Sequence, residues 1–193
     1  LCKSLIKEGA NIYGIHKNDT RNSLLKLEEI HKYNSISYNN LDLNNLTELI
    51  TDKEIHICFH LAAQVEVKKA QKYPYNTFEN NFLLTLMLLE SFRISKSLMS
   101  FIFTSTDKVY GDLEIEKLPY KENYETNAKS PYEVSKLICE NICKAYAENY
   151  KLPIIITRAC NLYGPGQMNF SALIPNLINS QYETNAPLII NIG

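Results

Sequence analysis

No apolar run in the 193 residues approaches the roughly 20 that a membrane-spanning helix requires, so no membrane role is expected. Neither sign of charge dominates: the formal net charge is -1, which gives no reason to expect nucleic acid or an anionic membrane as a partner. The five cysteines (Cys2, Cys58, Cys139, Cys143 and Cys160) are odd in number and contain no Cys-x-x-Cys pair. That usage favours reduced thiols in a cytoplasmic protein over a disulfide framework. Cys139 and Cys143 stand one helical turn apart, but no His or Cys completes a zinc-site spacing, so they read as small core residues and no metal site is expected. No secretory signal is recognisable. The first residue is Leu1, inside a helical pattern, which leads us to expect a fragment of a longer protein.

What is present is ordinary for one globular domain: 45% apolar and 21% charged residues. Apolar spacing predicts a short helix over 1–8 stopped by Gly9, and a strand over 11–15. It then predicts a helix after Asn22 that buries Leu24, Leu25, Leu27 and Ile30, a strand over 36–38 and a helix over 46–50. A strand over 55–61 follows, and then a helix over 76–95 that is apolar almost all round and so is buried on more than one side. Residues 99–104 read as a strand, 112–129 as a polar loop, 132–149 as a helix and 154–156 as a β-branched strand. Last come a loop at 161–166, a helix over 173–178 and a strand over 188–192. Strands alternating with helices imply α/β architecture, a parallel sheet covered on both faces. Ligands of such sheets bind beyond the carboxyl ends of the strands. His16, Asp42, Ala62, Thr106 and Asn161 each follow a predicted strand and are expected to converge on one crevice.

Two stretches carry the chemistry: Ser105-Thr106-Asp107-Lys108-Val109-Tyr110-Gly111, and Ser130-Pro131-Tyr132-Glu133-Val134-Ser135-Lys136. Tyr132 and Lys136 are four residues apart and so share one helix face. A phenol with a pKa near ~10 is a poor base at neutral pH, and an ammonium beside it favours the phenolate. Thr106 can hydrogen-bond the same substrate hydroxyl and Asp107 can serve as a general acid. The competing reading of Thr106-Asp107 is a helix cap or turn. Gly111 and Pro119 argue against a helix directly after it.

These motifs, with His60-Leu61-Ala62-Ala63-Gln64, Asn81, and the run from Arg158 through Asn161 to Tyr163-Gly164-Pro165, resemble the extended short-chain dehydrogenases/reductases. The likeness is to the nucleotide-sugar 4,6-dehydratases and their epimerase relatives, with an active-site motif similar to the CDP-glucose type. It implies a Rossmann-type doubly wound parallel sheet, truncated at both ends, with an NAD(P)-binding domain over 1–170 and the start of a substrate lobe over 171–193. It further implies Tyr132 as base and Lys136 on the nicotinamide ribose, with Asp107 protonating the hydroxyl that leaves C6 of the sugar. Cofactor contacts are implied for Asp42, Leu43, Leu61, Ala62, Ala63, Asn81 and Thr104, and substrate contacts for Gln64, Val65, Thr106, Asn161 and Leu173. The cofactor is NAD or NADP, the substrate a nucleotide-diphosphate sugar, and the assembly a homodimer through the long helix and the Tyr–Lys helix.

The sequence departs from the family pattern in several places. A Gly-rich pyrophosphate loop is missing from these residues, so cofactor binding by them alone is expected to be weak. His16, with Lys17 and Arg21 nearby, replaces the acidic residue expected at the adenosine ribose. Basic groups there suit a 2′-phosphate and tip the expectation toward NADP. Lys108 stands where many dehydratases carry glutamate; acting as a base at C5 would require it to be neutral, and it can instead orient the substrate. The alternatives are a 4-epimerase, which does not need Asp107, and a non-catalytic dinucleotide-binding module or inactive fragment.

Overall fold

The computed structural model describes residues 1–16, 34–37, 42–164, 167, 170 and 172–184. The helix expected after Asn22, the strand expected over 188–192, and Lys17 and Arg21 lie outside the described residues. The chain packs into two compact units, Leu1–Asn39 with Asn161–Gly193, and Asn40–Cys160.

In the first unit, helix α1 (Cys2–Lys7) precedes strand β1 (Tyr13–His16). This strand pairs in parallel with β2 (Asn34–Ser37), Tyr13 opposite Asn34 and His16 opposite Ser37. His16 is therefore the last strand residue rather than the first after it. Helix α7 (Leu173–Thr184) extends past the expected span.

The second unit holds the predicted α/β layering. Helix α2 (Leu43–Asp52) is started by Asp42, whose carboxylate accepts from Asn45 N at 2.8 Å. Strand β3 (Ile57–His60) pairs in parallel with β4 (Ser100–Thr106), and β4 in parallel with β5 (Ile154–Ala159). Between β3 and β4 the chain forms α3 (Val67–Lys72), α4 (Pro74–Phe78), a wide π-type turn (Glu79–Leu83) and α5 (Leu84–Ser95). The single helix expected over 76–95 is thus interrupted at Asn81, where one extra residue per turn frees backbone for side-chain partners.

Alternation along β4 sends Phe101, Phe103 and Ser105 into the interior. There they meet α5, where Phe92 stacks edge-on against Phe101, and helix α6 (Pro131–Tyr150). Helix α6 is opened by a capping box: Ser130 Oγ accepts from Glu133 N, and the Glu133 carboxylate accepts from Ser130 N at 2.9 Å. Its buried positions, Tyr132, Ser135, Lys136, Cys139, Glu140 and Cys143, follow a 3–4 spacing that defines one stripe. Leu83 and Ile94 of the α4–α5 segment remain 43% and 47% exposed, so its apolar girth is only partly used within this chain. Among the described residues no helix is long and apolar enough to cross a membrane.

Candidate active site

Strand β4 ends at Thr106, and the chain turns at once into a single 3-10 turn, Asp107–Tyr110. Thr106 caps it, its Oγ1 accepting from Lys108 N at 3.3 Å. The expectation that no helix follows directly is thus met only in part, since a single 3-10 turn does follow, and the capping reading of Thr106 applies. The same hydroxyl donates to Asp107 Oδ1 at 3.1 Å. The turn is held closed by its exit: Gly111 has φ +68°, and a Cβ there would lie 2.6 Å from the Asn127 carbonyl oxygen. Asn127 N donates to Val109 O at 2.9 Å, fixing the far side of the loop.

Tyr132 and Lys136 are both buried on the inward stripe of α6. Burial lifts the Tyr132 phenol above its ordinary value; the Thr106 hydroxyl opposes this and the Asp107 charge adds to it. Lys136 is pushed down to about 8, also by burial, with Glu140 among the groups that oppose the fall. Its Nζ lies 4.3 Å from the centroid of the Phe103 ring. Both groups are desolvated, and burial, which disfavours each charged form, is the larger cause of both shifts.

A buried polar network supports the pair. Asn81 donates to Ser135 Oγ at 2.8 Å, and Ser135 Oγ donates to the Tyr132 carbonyl at 2.7 Å. Asn81 also grips the backbone of Gln64, accepting from its N at 2.7 Å and donating to its O at 3.3 Å. Thr85 Oγ1 donates to Asn81 O at 2.7 Å and lies 2.8 Å from His60 Nε2. A hydroxyl has one proton, so His60 is the donor and its neutral ring carries the proton on Nε2.

Of the expected site residues, the structure hydrogen-bonds Gln64 to Asn81 and Thr106 to Asp107, and sets Tyr132 and Lys136 on one buried stripe of α6. Leu61, Ala62 and Val65 are exposed beyond the end of β3, with Ala63 half-buried, and Thr104 is half-buried in β4. Asp42 spends one carboxylate oxygen on its cap, and Leu43 begins α2, partly exposed. His16, Asn161 and Leu173 belong to the first unit. Lys108 is exposed, and its charge helps hold the Glu133 carboxylate below its usual range. With Asp107 it lines a cleft of about 190 Å³ bordered by Gly111, Tyr120, Asn127 and Glu133.

His60 and Ser135 stood within the quoted motifs without a role of their own, and Glu140 and the π-type turn were not singled out. Glu140 had a signal: it continues the four-residue spacing of Tyr132 and Lys136, and a carboxylate on a buried stripe requires a cationic partner. That partner is Arg158, at 2.7 Å.

Parallel strands under a Tyr–Lys helix, with a hydroxyl and a carboxylate at the end of the central described strand, define a Rossmann-type dinucleotide-binding class. The chain belongs to the NAD dependent epimerase/dehydratase family, which it matches over residues 1–192. It is 39% identical over 150 residues to a dTDP-D-glucose 4,6-dehydratase of Dictyostelium discoideum, covering 73% of this chain and 34% of that protein. To the human dTDP-D-glucose 4,6-dehydratase it is 32% identical over 185 residues, 91% of this chain and 51% of that one. The crystal structure of UDP-glucuronic acid 4-epimerase from Bacillus cereus with UDP-glucuronic acid and NAD superposes with a TM-score of 0.78 at 30% identity, covering 94% of this chain and 58% of that one. The chain spans about a third to a half of the length of these two curated relatives.

The residues present fit a nicotinamide dinucleotide. Tyr132 and Lys136 share one buried face of α6, and Ser105, near the carboxyl end of β4, carries a buried hydroxyl with no partner among the described residues.

An acid limb of stability follows from His60. Its folded pKa is lowered to about 3 from 6.5, by burial first and the Lys136 charge second. Between those values the unfolded chain binds a proton that the folded chain excludes, so stability is full above pH 6.5 and is lost as pH falls toward 3. The slope from one such group is at most about 1.4 kcal/mol per pH unit. Urea unfolding across this window is expected to show it, and His60→Gln to flatten it; an unchanged slope in the variant would mean that other groups carry the acid limb.

Proposed function

We propose that the protein carrying this chain is an NAD(P)-dependent nucleotide-sugar 4,6-dehydratase, a lyase acting on a nucleotide-diphosphate sugar. The supporting observation is the placement of an acid beside a base: Asp107 accepts at 3.1 Å from the Thr106 hydroxyl, and Thr106 and Asp107 are both close enough to Tyr132 to act on its phenol. Thr106 holds the C4 hydroxyl of the sugar and Tyr132 takes its proton. A nicotinamide held at Tyr132 and Lys136 would supply the hydride acceptor and donor. Asp107 lies one residue further out, where it protonates the hydroxyl that departs from C6. Lys108 serves the C5 side of the ring, where an amine in its neutral form takes the C5 proton as water leaves C6. Cofactor contacts fall to Asn81, Ala62, Ala63 and Thr104. His16, Lys17 and Arg21 favour a 2′-phosphate at the adenosine ribose and hence NADP. The part-exposed Leu83 and Ile94 suit a homodimer packed through the α4–α5 segment and α6.

The 4-epimerase reading is favoured by the likeness to the Bacillus cereus epimerase and needs only Tyr132, Lys136 and Thr106. Incubating the full-length protein with a panel of nucleoside-diphosphate hexoses separates the two. A dehydratase gives a 4-keto-6-deoxy product with strong ultraviolet absorbance in alkali; a product inverted at C4, without that absorbance, establishes the epimerase instead.

A further inference from the structure

Arg158, on β5, reaches three elements at once. It donates from Nη2 to Glu140 Oε2 at 2.7 Å and from Nε to Glu140 Oε1 at 3.1 Å, a fork on a carboxylate that is fully buried in α6. Glu140 lies one turn beyond Lys136 and two beyond Tyr132 on the same stripe. The Arg158 guanidinium carbon lies 4.7 Å from the centroid of Tyr110, the last residue of the turn that carries Asp107 and Lys108. Nη1 donates to the Glu122 carbonyl at 3.4 Å, in the loop that walls the cleft. Tyr110 in turn stacks on Tyr120 with centroids 5.1 Å apart and planes at 12°, and the Tyr120 hydroxyl donates to Gly111 O.

A buried ion pair is weak ground for stability, because desolvation offsets most of the attraction; what its geometry can supply is registration. A planar fork that is bidentate on one side and stacked on the other cannot be reproduced by Lys. Here the two sides belong to the base-bearing helix and the acid-bearing turn.

We infer that Arg158 is a positioning residue: through Glu140 and Tyr110 it sets the spacing between the Asp107 turn and the Tyr132–Lys136 helix, so that acid and base address one sugar ring. This rests on the dehydratase reading, because only elimination needs both groups in register.

The test uses the full-length protein with the native nucleoside-diphosphate hexose and its 6-deoxy-6-fluoro analogue, whose fluoride leaves with little help from an acid. Arg158→Lys is expected to lower kcat for the native sugar roughly ten- to a hundredfold, as a misplacement on the order of 1 Å does. KM should hold within about twofold, and the fluoro analogue should lose less than about threefold. Amide hydrogen exchange over Asp107–Gly111 should accelerate in the same variant. Where Arg158→Lys does not fold, Tyr110→Leu, which removes the stacking ring and leaves the Glu140 pair, carries the same expectations. Equal losses on both sugars, a loss confined to KM, or unchanged exchange in the turn would overturn the role of Arg158 alone. Wild-type protein that oxidises the sugar at C4 but eliminates from neither substrate would overturn the dehydratase reading and this role with it.

Discussion

Tyr132→Phe is expected to slow C4 oxidation by roughly two to four orders of magnitude, the range a positioned general base contributes. The substitution removes one oxygen and little else. The ring stays in its buried place on α6, Ser135 still donates to the backbone carbonyl of residue 132, and the capping box at Ser130 is two residues away. Binding of cofactor and sugar should therefore be nearly unchanged, and the loss should appear in the chemical step. Single-turnover growth of reduced-nicotinamide absorbance on mixing full-length protein with sugar measures that step directly. Because burial holds the phenol above its ordinary value, the wild-type rate should still be rising with pH through neutrality, and the residual rate of the variant should lack that dependence. A variant that reduces its cofactor at close to the wild-type rate would remove Tyr132 from the chemistry, whatever its position.

The strand–helix alternation was legible because buried parallel strands leave dense β-branched and aromatic runs, as in residues 101–103 and 154–156, between amphipathic stretches. The Tyr132–Lys136 pair was legible because helical spacing is local. Two kinds of feature were not. The first is the interruption at Asn81: nothing in a run of apolar residues marks where a helix widens by one residue. The cause is tertiary, since the side chain of Asn81 is committed to Gln64 and Ser135, 17 and 54 residues away in sequence. The second is the sign of the Tyr132 shift. Sequence places the ammonium near the phenol, but the extent of desolvation depends on the packed interior, which leaves Tyr132 8% exposed and sets Lys136 over the Phe103 ring. The turn after Thr106 lies between these cases. Its capping hydroxyl was visible, and Gly111 was taken as a break, whereas its positive φ closes the turn against Asn127.

Asp107→Asn should divide the reaction in two. Asparagine keeps the size of the side chain and an oxygen to accept from Thr106, which now sits 3.1 Å from Oδ1, but it has no proton suited to a departing hydroxyl. Elimination should fall roughly a hundredfold or more, while C4 oxidation persists, so reduced cofactor accumulates in the variant where the wild type returns it to the oxidised form. The same change removes a negative charge that disfavours the Tyr132 phenolate. The pKa governing C4 oxidation should therefore move down, and the rise of that step with pH should shift to lower pH. Rapid mixing followed at the nicotinamide absorbance, with the alkaline ultraviolet signal of the keto sugar measured on the same samples, reads both halves. If Asp107→Asn leaves the 4-keto-6-deoxy product at its wild-type rate, the acid is elsewhere. If it instead leaves a 4-epimerisation untouched and no keto sugar forms in either protein, Asp107 serves the turn and Tyr132 works without it, which is the arrangement an epimerase requires.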